Sequence, residues 1–326
     1  MTRRALAHLA GAVASVALGS AIGLGWGPAD PVLAGPRAAS ARVLRDALGR
    51  AGVRDASGRF VPILDYRRIV SGSTVADGLL LALADPSRVL AYTEVSTTRS
   101  PYAYRFAGKA AAVDLDDLEA LIALEPDLLV VSGVRRQERA ARAREAGLAV
   151  LDLGESRGLE SLVGAARVVG TILGRAEHGQ QLAHRIARRM EDLAARTSPL
   201  RRPRGVYVSV HGGVLFGGTR GTSYHDVLTA AGIIDAAARA HTGWPRYATE
   251  QLLGLDPDLL VTQTGMAAVL CRHPGLDRLR ACQATGRIIE IDAGLIGDPG
   301  VAMLDAAEAL YERVHAEPAA VVGPAS

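Results

Sequence analysis

One short segment of this sequence occurs twice, and the duplication limits the folds that the chain can adopt. Residues 118–130 read LEALIALEPDLLV and residues 249–261 read TEQLLGLDPDLLV. Aligned without a gap at an offset of 131 residues, the two copies are identical at eight of thirteen positions. Each copy has a helical pattern, a proline that ends the helix, and an apolar run typical of a buried strand. The duplication therefore predicts two halves that are built alike.

Strands and helices alternate in both halves of the chain. Its 326 residues suffice for one large domain or for two of about 100–150 residues each. Such alternation is typical of parallel sheets with both faces covered by helices. Residues 158–197 are almost continuously helical in pattern, with a possible break at Gly170–Gly174. We therefore predict an α/β fold of two Rossmann-like lobes with parallel sheets, joined by one long rigid helix.

Composition and pattern also predict the boundaries and some local details. The segment before the first lobe shows little periodicity, and the glycine-rich stretch HGGVLFGGTRG is expected to be a flexible or tightly turned loop. Asp114 or Asp116 is expected to cap the helix that contains the first copy of the repeat. The predicted organisation is a signal peptide at 1–34, an N-terminal segment at 35–66, a first lobe at 67–157, a helical connection at 158–198, a second lobe at 203–317 and a tail at 318–326.

The N-terminus has the features of a secretory signal peptide. A basic MTRR start precedes an apolar run rich in alanine and glycine, and Val32-Leu33-Ala34 forms a small-residue cleavage site. The alternative is a retained membrane anchor, because the apolar run approaches the length needed to span a bilayer. Glycines and His8 weaken the hydrophobicity of the run, so we favour cleavage and a periplasmic location.

Charge and cysteine content narrow the functional classes. Removal of residues 1–34 lowers the formal net charge from +3 to +2, which is too small an excess to favour nucleic-acid binding. The two cysteines, Cys271 and Cys282, are expected to form a disulfide in an oxidising compartment. Two buried free thiols are the alternative, and a metal site with His273 is a third reading that lacks zinc spacing.

The motifs that carry common enzyme chemistry are missing from the sequence. The glycine-rich stretch lacks both the P-loop ending and the dinucleotide-binding spacing, and there is no HExxH or GxSxG. Instead, aromatic residues and arginines follow the predicted strands, where α/β proteins bind ligands. Aromatic faces suit a large, partly apolar ligand, and arginines suit its anionic groups. The candidate ligand-binding residues are Tyr102, Tyr104, Arg105, Phe216, Arg220, Trp244, Arg246 and Tyr247.

Four segments together resemble the class III periplasmic substrate-binding proteins of ABC importers, over residues 56–316. They are RRIVSGSTVADGLLLAL, DLEALIALEPDLLVVSG, GTSYHDVLTAAGIIDAA and GWPRYATEQLLGLDPDLLVTQTG. This resemblance implies two lobes, a ligand held in the cleft between them, and a membrane permease as partner. The family carries vitamin B12, haem and ferric siderophores. It uses no resident cofactor, so any metal would arrive with the ligand.

The resemblance also gives a role to Glu119 and Glu250, which lie seven residues before the same proline in each copy. In the family, one exposed acid per lobe contacts arginines of the permease, and these two glutamates match the position. The alternative is structural, since an acid in the first turn of a helix interacts favourably with the helix dipole. Trp244 matches a family Trp-Pro position that faces the cleft. The family's late Pro-Arg pair is replaced here by Gly300-Val301, which leaves the ligand open.

These observations predict a monomeric binding protein that delivers a metal chelate, namely a ferric siderophore, cobalamin or haem, to an ABC importer permease. It would catalyse no reaction and bind no nucleic acid. Two rival readings remain. A chelatase-like or transferase-like enzyme would have a cluster of titratable groups in the cleft. A membrane-tethered sensor would keep its N-terminal apolar segment.

Overall fold

Two sheets of mainly parallel strands form the centres of two lobes in the computed structural model, which describes residues 39–108, 111–113, 117–133, 136–283 and 287–315. The first lobe has a five-stranded sheet of parallel strands in the order β6-β5-β4-β7-β8. Its strands are β4 (Ile69–Ser71), β5 (Val89–Thr93), β6 (Ala111–Val113), β7 (Leu128–Val131) and β8 (Val150–Asp152), and its helices are α1 (Thr74–Leu83), α2 (Leu118–Ala123) and α3 (Arg136–Glu145).

The second lobe has a mixed sheet in the order β12-β10-β9-β13-β14, with β11 also beside β9. Its strands are β9 (Arg204–His211), β10 (Val214–Gly218), β11 (Ile234–Asp235), β12 (Arg246–Tyr247), β13 (Leu259–Gln263) and β14 (Arg287–Ile291). Its helices are α6 (Ser223–Ala230), α7 (Thr249–Leu255), α8 (Ala267–Cys271), α9 (Ala293–Ile296) and α10 (Ala302–His315).

The glycine-rich stretch differs from its expected form. Its middle part is the antiparallel strand β10 rather than a loop, so the second sheet is not wholly parallel. Gly212 and Gly213 both have positive φ, 57° and 76°, and join β9 to β10 by a two-residue turn. Such a turn matches the twist of antiparallel strands and favours glycine at both positions. Strand β12 then pairs with β10, also antiparallel.

Two antiparallel helices connect the lobes, α4 (Leu159–Ile172) and α5 (Ala176–Thr197). They lie in close contact at Gly170, where a Cβ would be 2.5 Å from the Cα of Gly179, so neither position has space for a side chain. Helix α5 has 22 residues, about 33 Å, and buries its apolar side chains. The core is continuous from Leu79 in the first lobe through Ile186 on α5 to Leu310 in the second. The domain boundaries given above remain a proposal.

The repeated segment forms the same unit in both lobes. After α2 and after α7, the residue before the proline is left-handed: Glu125 has a φ of 45° and Asp256 a φ of 38°. The aspartate after the proline then bonds the residue that precedes or begins the neighbouring strand. Asp127 accepts the main-chain N–H of Arg68 (2.9 Å), and Asp258 accepts that of Arg204 (2.8 Å). The Pro-Asp pair is therefore explained by the fold.

Other differences concern the beginning of the chain. Residues 40–62 form an antiparallel sheet of β1 (Ser40–Arg45), β2 (Ala51–Arg54) and β3 (Phe60–Pro62), where little regular structure was expected. Asp117, rather than Asp114 or Asp116, caps α2 by accepting the N–H of Ala120 at 2.9 Å, and the two other aspartates lie outside the described residues.

The predicted signal peptide and C-terminal tail also lie outside the part of the chain that the structure describes. Among the helices that it does describe, none has the length and hydropathy needed to cross a bilayer.

The repeated aspartates give the first testable prediction. Asp258→Ala removes the acceptor for the N–H of Arg204 at the start of β9, a bond from an amide to a charged group. We expect a loss of about 1–2 kcal/mol and a fall of about 2–6 °C in the midpoint of thermal denaturation. Asp277→Ala, at an exposed aspartate of the same lobe, is the control and is expected to change the midpoint by less than about 1 °C. Equal shifts in both variants would contradict the assignment.

Candidate ligand-binding cleft

The two lobes meet at the carboxyl ends of their strands. After β14, the Asp298 carboxylate accepts a hydrogen bond from the Thr74 hydroxyl at 2.9 Å, at the start of α1. Burial raises the pKa of Asp298 above its ordinary value. Since ligands of α/β proteins bind beyond the carboxyl ends of strands, this junction is the expected place for a site in each lobe. We call the space between the two sets of strand ends the cleft.

A second contact between the lobes closes the base of the cleft. The carboxylate of Asp226, on α6, accepts the main-chain N–H of Leu159 at 2.6 Å. Leu159 is the first residue of α4, and the N-cap residue Gly158 has no side chain to cap the helix. A Cβ on Gly158 would lie 2.1 Å from the Asp226 carboxylate, and its φ of 98° also disfavours other residues. The second lobe therefore caps the first of the two connecting helices. Burial raises the pKa of Asp226.

Tyr102 takes part in a third contact between the lobes. Its hydroxyl donates to the Asp305 carboxylate on α10, and Arg189 on α5 pairs with both Asp305 and Glu308. Burial, and then the bond to Asp305, raise the pKa of Tyr102. Through these bonds, the half-buried Tyr102 side chain connects the loop after β5 with α10, and Arg189 connects α10 with α5. The Tyr102 hydroxyl therefore already has a partner.

One face of the second-lobe sheet carries a group of aromatic and basic side chains. Phe216 on β10 lies opposite Arg246 on β12, and the guanidinium carbon is 5.4 Å from the centre of the phenyl ring. His211, at the carboxyl end of β9, lies 5.9 Å from the same ring. Trp244 is two residues before Arg246, is 42% exposed, and lies in the bend that leads into β12. We call His211, Phe216, Trp244 and Arg246 the aromatic face.

Below the aromatic face, two tyrosines form the floor. The rings of Tyr207 and Tyr224 stack with 3.9 Å between their centres, and the Tyr224 ring covers Gly218, where a Cβ would be 2.1 Å away. The Gln263 side-chain amide donates to the Tyr207 hydroxyl at 3.3 Å. Burial raises the pKa of both tyrosines, so both hydroxyls stay neutral. The glycine on β10 therefore makes room for an aromatic floor.

The first lobe contributes a more open pair of side chains. Tyr104 and Arg105 lie in a short 3-10 turn, Ala103–Phe106, after β5. Tyr104 is 72% exposed, whereas Phe106 of the same turn is buried against Tyr92, with 5.0 Å between ring centres. Arg105 lies 5.9 Å from the centre of the Tyr102 ring. Tyr104 and Arg105 are thus exposed in the turn that follows β5.

Two of the candidate residues, Tyr247 and Arg220, lie elsewhere, and the nearby His225 already has a partner. Tyr247 points away from the aromatic face and is buried in the core on the other side of the sheet. Arg220 is exposed at the end of β10 opposite the Gly212–Gly213 turn. His225 bonds the buried Asp235 carboxylate at 2.8 Å, which raises the pKa of the imidazole. Of the candidate residues in the second lobe, Phe216 and Arg246 are in contact, and His211 also lies beside the Phe216 ring.

One of the larger cavities, of about 360 Å³, adjoins the Asp226–Leu159 contact, and two others lie away from the cleft. One of about 230 Å³ is at the amino end of β4, lined by Asp65, Arg88 and Arg175 among others. Another of about 460 Å³ lies at the amino end of β14, near Arg287 and Tyr311. Between the strand ends of the two lobes, beside Pro299, the space is about 10 Å³, which admits one water molecule. A bulky ligand would therefore bind at the open part of the cleft, above this packed base.

The remaining candidates lie on the outside of the lobes. Glu119 and Glu250 are exposed and both are in the first turn of a helix, α2 and α7. Cys271 and Cys282 form a disulfide in the second lobe, which rules out the free-thiol and metal readings for this pair. Within the described ranges, no group of three or more His, Cys, Asp or Glu side chains is suitably placed to hold a metal ion.

The chemistry of the cleft is that of binding. The aromatic face offers ring surfaces, one guanidinium and one imidazole, and the Ser209 hydroxyl lies 3.0 Å from that imidazole. The sequence analysis missed the Tyr207–Tyr224 floor and the Asp226 contact. Tyr207 lies in an apolar strand pattern and gives no sequence signal, and a cap supplied from the other lobe has no local signature.

The fold and the site define a two-lobed binding protein. The family model for "Periplasmic binding protein" matches residues 69–295, well over half of the chain. The chain therefore belongs to the periplasmic binding protein family, with the class III fold of the substrate-binding proteins of ABC importers. The family consists of binding proteins that act outside the cytoplasm.

Individual relatives are distant. The chain is 21% identical over 258 residues to a "Cobalamin-binding protein" of Halobacterium salinarum, covering 76% of this chain and 69% of that protein. Its fold is similar to that of the periplasmic haem-binding protein RhuT from Roseiflexus sp. RS-1, with a TM-score of 0.63, 22% identity, and coverage of 76% and 98% of the two chains. It is also similar to the vitamin B12-binding protein BtuF of Vibrio cholerae, with a TM-score of 0.59, 20% identity, and coverage of 77% and 98%.

The contact at the base of the cleft gives the second prediction. Gly158→Ala places a methyl group against the Asp226 carboxylate and forces alanine into a left-handed conformation. We expect a loss of at least about 2 kcal/mol, or about 4 °C or more in the denaturation midpoint. Gly164→Ala is the control, since Gly164 lies within α4 and has open space around it. That variant should be neutral or stabilising by about 0.5–1 kcal/mol. Equal midpoints for the two variants would refute the lobe-capping role of this position.

Proposed function

We propose that this protein captures a bulky metal chelate of the haem or corrinoid class in the cleft and delivers it to the permease of an ABC importer. The observation that carries the proposal is the aromatic face, where Arg246 and His211 each lie within about 6 Å of the Phe216 ring. Two relatives named above are described as cobalamin- or vitamin B12-binding, and one as haem-binding. This support is chemical and comparative, and the choice between the two ligands is left to experiment.

The side chains suit a large flat ligand with an anionic rim. Aromatic rings such as Phe216 and Trp244 contribute apolar contact, and Trp244 is 42% exposed although it is a large ring. Arg246 on one lobe and Arg105 on the other would pair with carboxylate or phosphate groups at the ligand edge. His211 and Tyr104 are the exposed side chains that would reach a metal at its centre. We leave Tyr102 and Tyr247 out of the proposed site, because one hydroxyl is bonded and the other ring is buried.

Delivery requires a docking surface as well as a cleft. Glu119 and Glu250 lie at equivalent positions of the repeated unit, one on each lobe, and both are exposed. Two acids on separate lobes would orient the protein on a permease that carries arginines, since surface charges steer and position more than they add affinity. We further propose that residues 1–34 are a signal peptide, which would release the protein into the periplasm as a monomer.

The ligand prediction combines identification with site variants. Protein isolated from its own host is expected to show a Soret band if it carries haem, or corrinoid bands if it carries cobalamin. Phe216→Ala and Arg246→Ala are expected to weaken binding of that ligand about tenfold or more, because each removes a contact of about 1.4 kcal/mol or more. Titration with haem and with cobalamin measures the change.

Tyr247→Phe is the matched control, since Tyr247 adjoins Arg246 on the same strand but faces the core. It should leave the dissociation constant within about twofold. A broad charge-transfer band in the isolated protein would instead indicate a ferric siderophore. Equal affinity of Arg246→Ala and wild type for every ligand tested would remove the aromatic face from the proposal.

The docking prediction separates transport from binding. Glu119→Arg combined with Glu250→Arg is expected to reduce ligand uptake by cells more than about tenfold while ligand affinity stays unchanged. The control pair is Glu177→Arg with Glu312→Arg, which reverses two exposed acids elsewhere, one of them in the first turn of α5. If the control pair lowers uptake as much, the glutamates act only through helix stability or net charge. If ligand affinity falls in the docking pair, the glutamates belong to the binding site.

A further inference from the structure

Two turns of the N-terminal sheet have nearly the same sequence and the same structure. Residues 45–50 read RDALGR and join β1 to β2, while residues 54–59 read RDASGR and join β2 to β3. In each, the aspartate carboxylate accepts the main-chain N–H four residues later at 2.9 Å. In each, the first arginine donates to the carbonyl of the glycine four residues later. The two turns are therefore copies of one structural unit.

Only the second copy is packed against the body of the protein. Asp55 is 2% exposed and forms an ion pair of 2.5 Å with Arg144 of α3. The main-chain N–H of Ala56 donates to the carbonyl of Asp152, at the end of β8, at 2.8 Å. In the first copy the residue equivalent to Ala56 is Ala47, which is exposed. The first copy thus presents to solvent the side that the second copy buries.

The tip residue of the first copy is apolar, although the turn does not require it. Leu48 is 79% exposed, more than any other large apolar side chain in the described part of the chain. The second copy has Ser57 at the equivalent position and folds in the same way. An exposed leucine has an energetic cost in water that serine avoids. We call residues 45–50 the leucine turn.

The positive charge of the protein is concentrated around this turn. Residues 39–62 contain five arginines and two aspartates, a net charge of +3 that equals the formal net charge of the whole chain. Residues 63–326 contain 29 basic and 31 acidic residues, a net charge of −2. The protein is therefore polarised, with a basic end that carries an exposed apolar tip. Near an anionic surface, this distribution turns the N-terminal sheet towards the surface.

We propose that the leucine turn is a contact site for an anionic phospholipid surface. Leu48 would enter the boundary between headgroups and acyl chains, while Arg42 and Arg45 contact lipid phosphates. Arg50 pairs with Asp46 of the same turn at 2.7 Å and is not counted among these contacts. Two basic residues near an anionic leaflet together strengthen binding about tenfold or more. Burial of a leucine among the lipids strengthens it further. The contact would be weak and reversible, and would keep the protein at the membrane that holds its permease.

A lipid surface fits the leucine turn better than a protein partner does. Stable protein interfaces bury about 800 Å² on each side and have an apolar core surrounded by a rim. A six-residue turn with one apolar side chain among arginines cannot supply such a core. A lipid headgroup layer requires only an inserted apolar side chain and cations around it. The proposal does not depend on the identity of the ligand or on the docking glutamates.

Site-resolved fluorescence tests the proposal on the full chain as its host processes it. In the Leu48→Trp variant, the added tryptophan is expected to be quenched by phosphatidylglycerol vesicles with brominated acyl chains, and not by brominated phosphatidylcholine vesicles. The wild type, prepared in the same way, supplies the background from the native tryptophans. Ser57→Trp is the matched control, since it places the same residue at the tip of the second copy, at the other end of β2, and no quenching is expected there.

Charge variants then test the role of the arginines. In the Leu48→Trp background, Arg42→Glu with Arg45→Glu should weaken anionic vesicle binding about tenfold or more. Arg185→Glu with Arg278→Glu, at exposed arginines outside the N-terminal sheet, should change it less than about threefold. Absence of quenching in Leu48→Trp, equal quenching in Ser57→Trp, or equal quenching by both lipids overturns the proposal. If lipid contact is absent but Leu48→Ser lowers ligand uptake, the partner of the leucine turn is a protein and the lipid proposal is wrong.

Discussion

The junction of the two lobes depends on a helix that cannot cap itself. Helix α4 begins after Gly158, and its first main-chain N–H is bonded by Asp226 of the other lobe. The Asp226 carboxylate interacts favourably with the positive end of the helix. Burial raises the pKa of Asp226, because removing a charged carboxylate from water has an energetic cost. Part of the favourable interaction offsets this cost. Because the cap crosses from lobe to lobe, it sets their separation at the base of the cleft. Any side chain at Gly158 would push the lobes apart at the same point.

This constraint explains how the cleft can be open and still well defined. The base is held by Asp226 with Leu159, by Asp298 with Thr74, and by the Tyr102–Asp305 bond. These contacts use polar groups, and the continuous apolar core runs behind them along α4 and α5. Above the base, the first lobe presents an exposed turn and the second presents the aromatic face. The base is therefore fixed by polar contacts, whereas most of the side chains above it are exposed.

The sequence predicted the architecture well, because the repeat and the alternation of strands and helices are local signals. Helix α1, the break near Gly174 and the buried strands β7 and β13 lie where the pattern indicates. The site was harder to predict. Tyr247 and Arg246 adjoin in sequence but face opposite sides of β12, and only strand register, which the sequence does not reveal, assigns one to the cleft and the other to the core. Asp226 is 67 residues from Leu159, whose N–H it caps, so this contact has no local sequence pattern.

Each of the two sequence repeats contains residues that the fold requires and residues that it does not require. In the lobe repeat, the proline and the aspartate are required by the fold, because Asp127 and Asp258 bond the residue that precedes or begins the next strand. The glutamates are not required, since a first-turn acid adds only about 0.3–1 kcal/mol. In the N-terminal repeat, the aspartate and glycine form the turn in both copies, whereas the leucine occurs in one. Glu119 and Glu250 are thus present in both copies of the lobe repeat without structural need, whereas Leu48 is present in one copy of its repeat without structural need. All three residues lie on the surface.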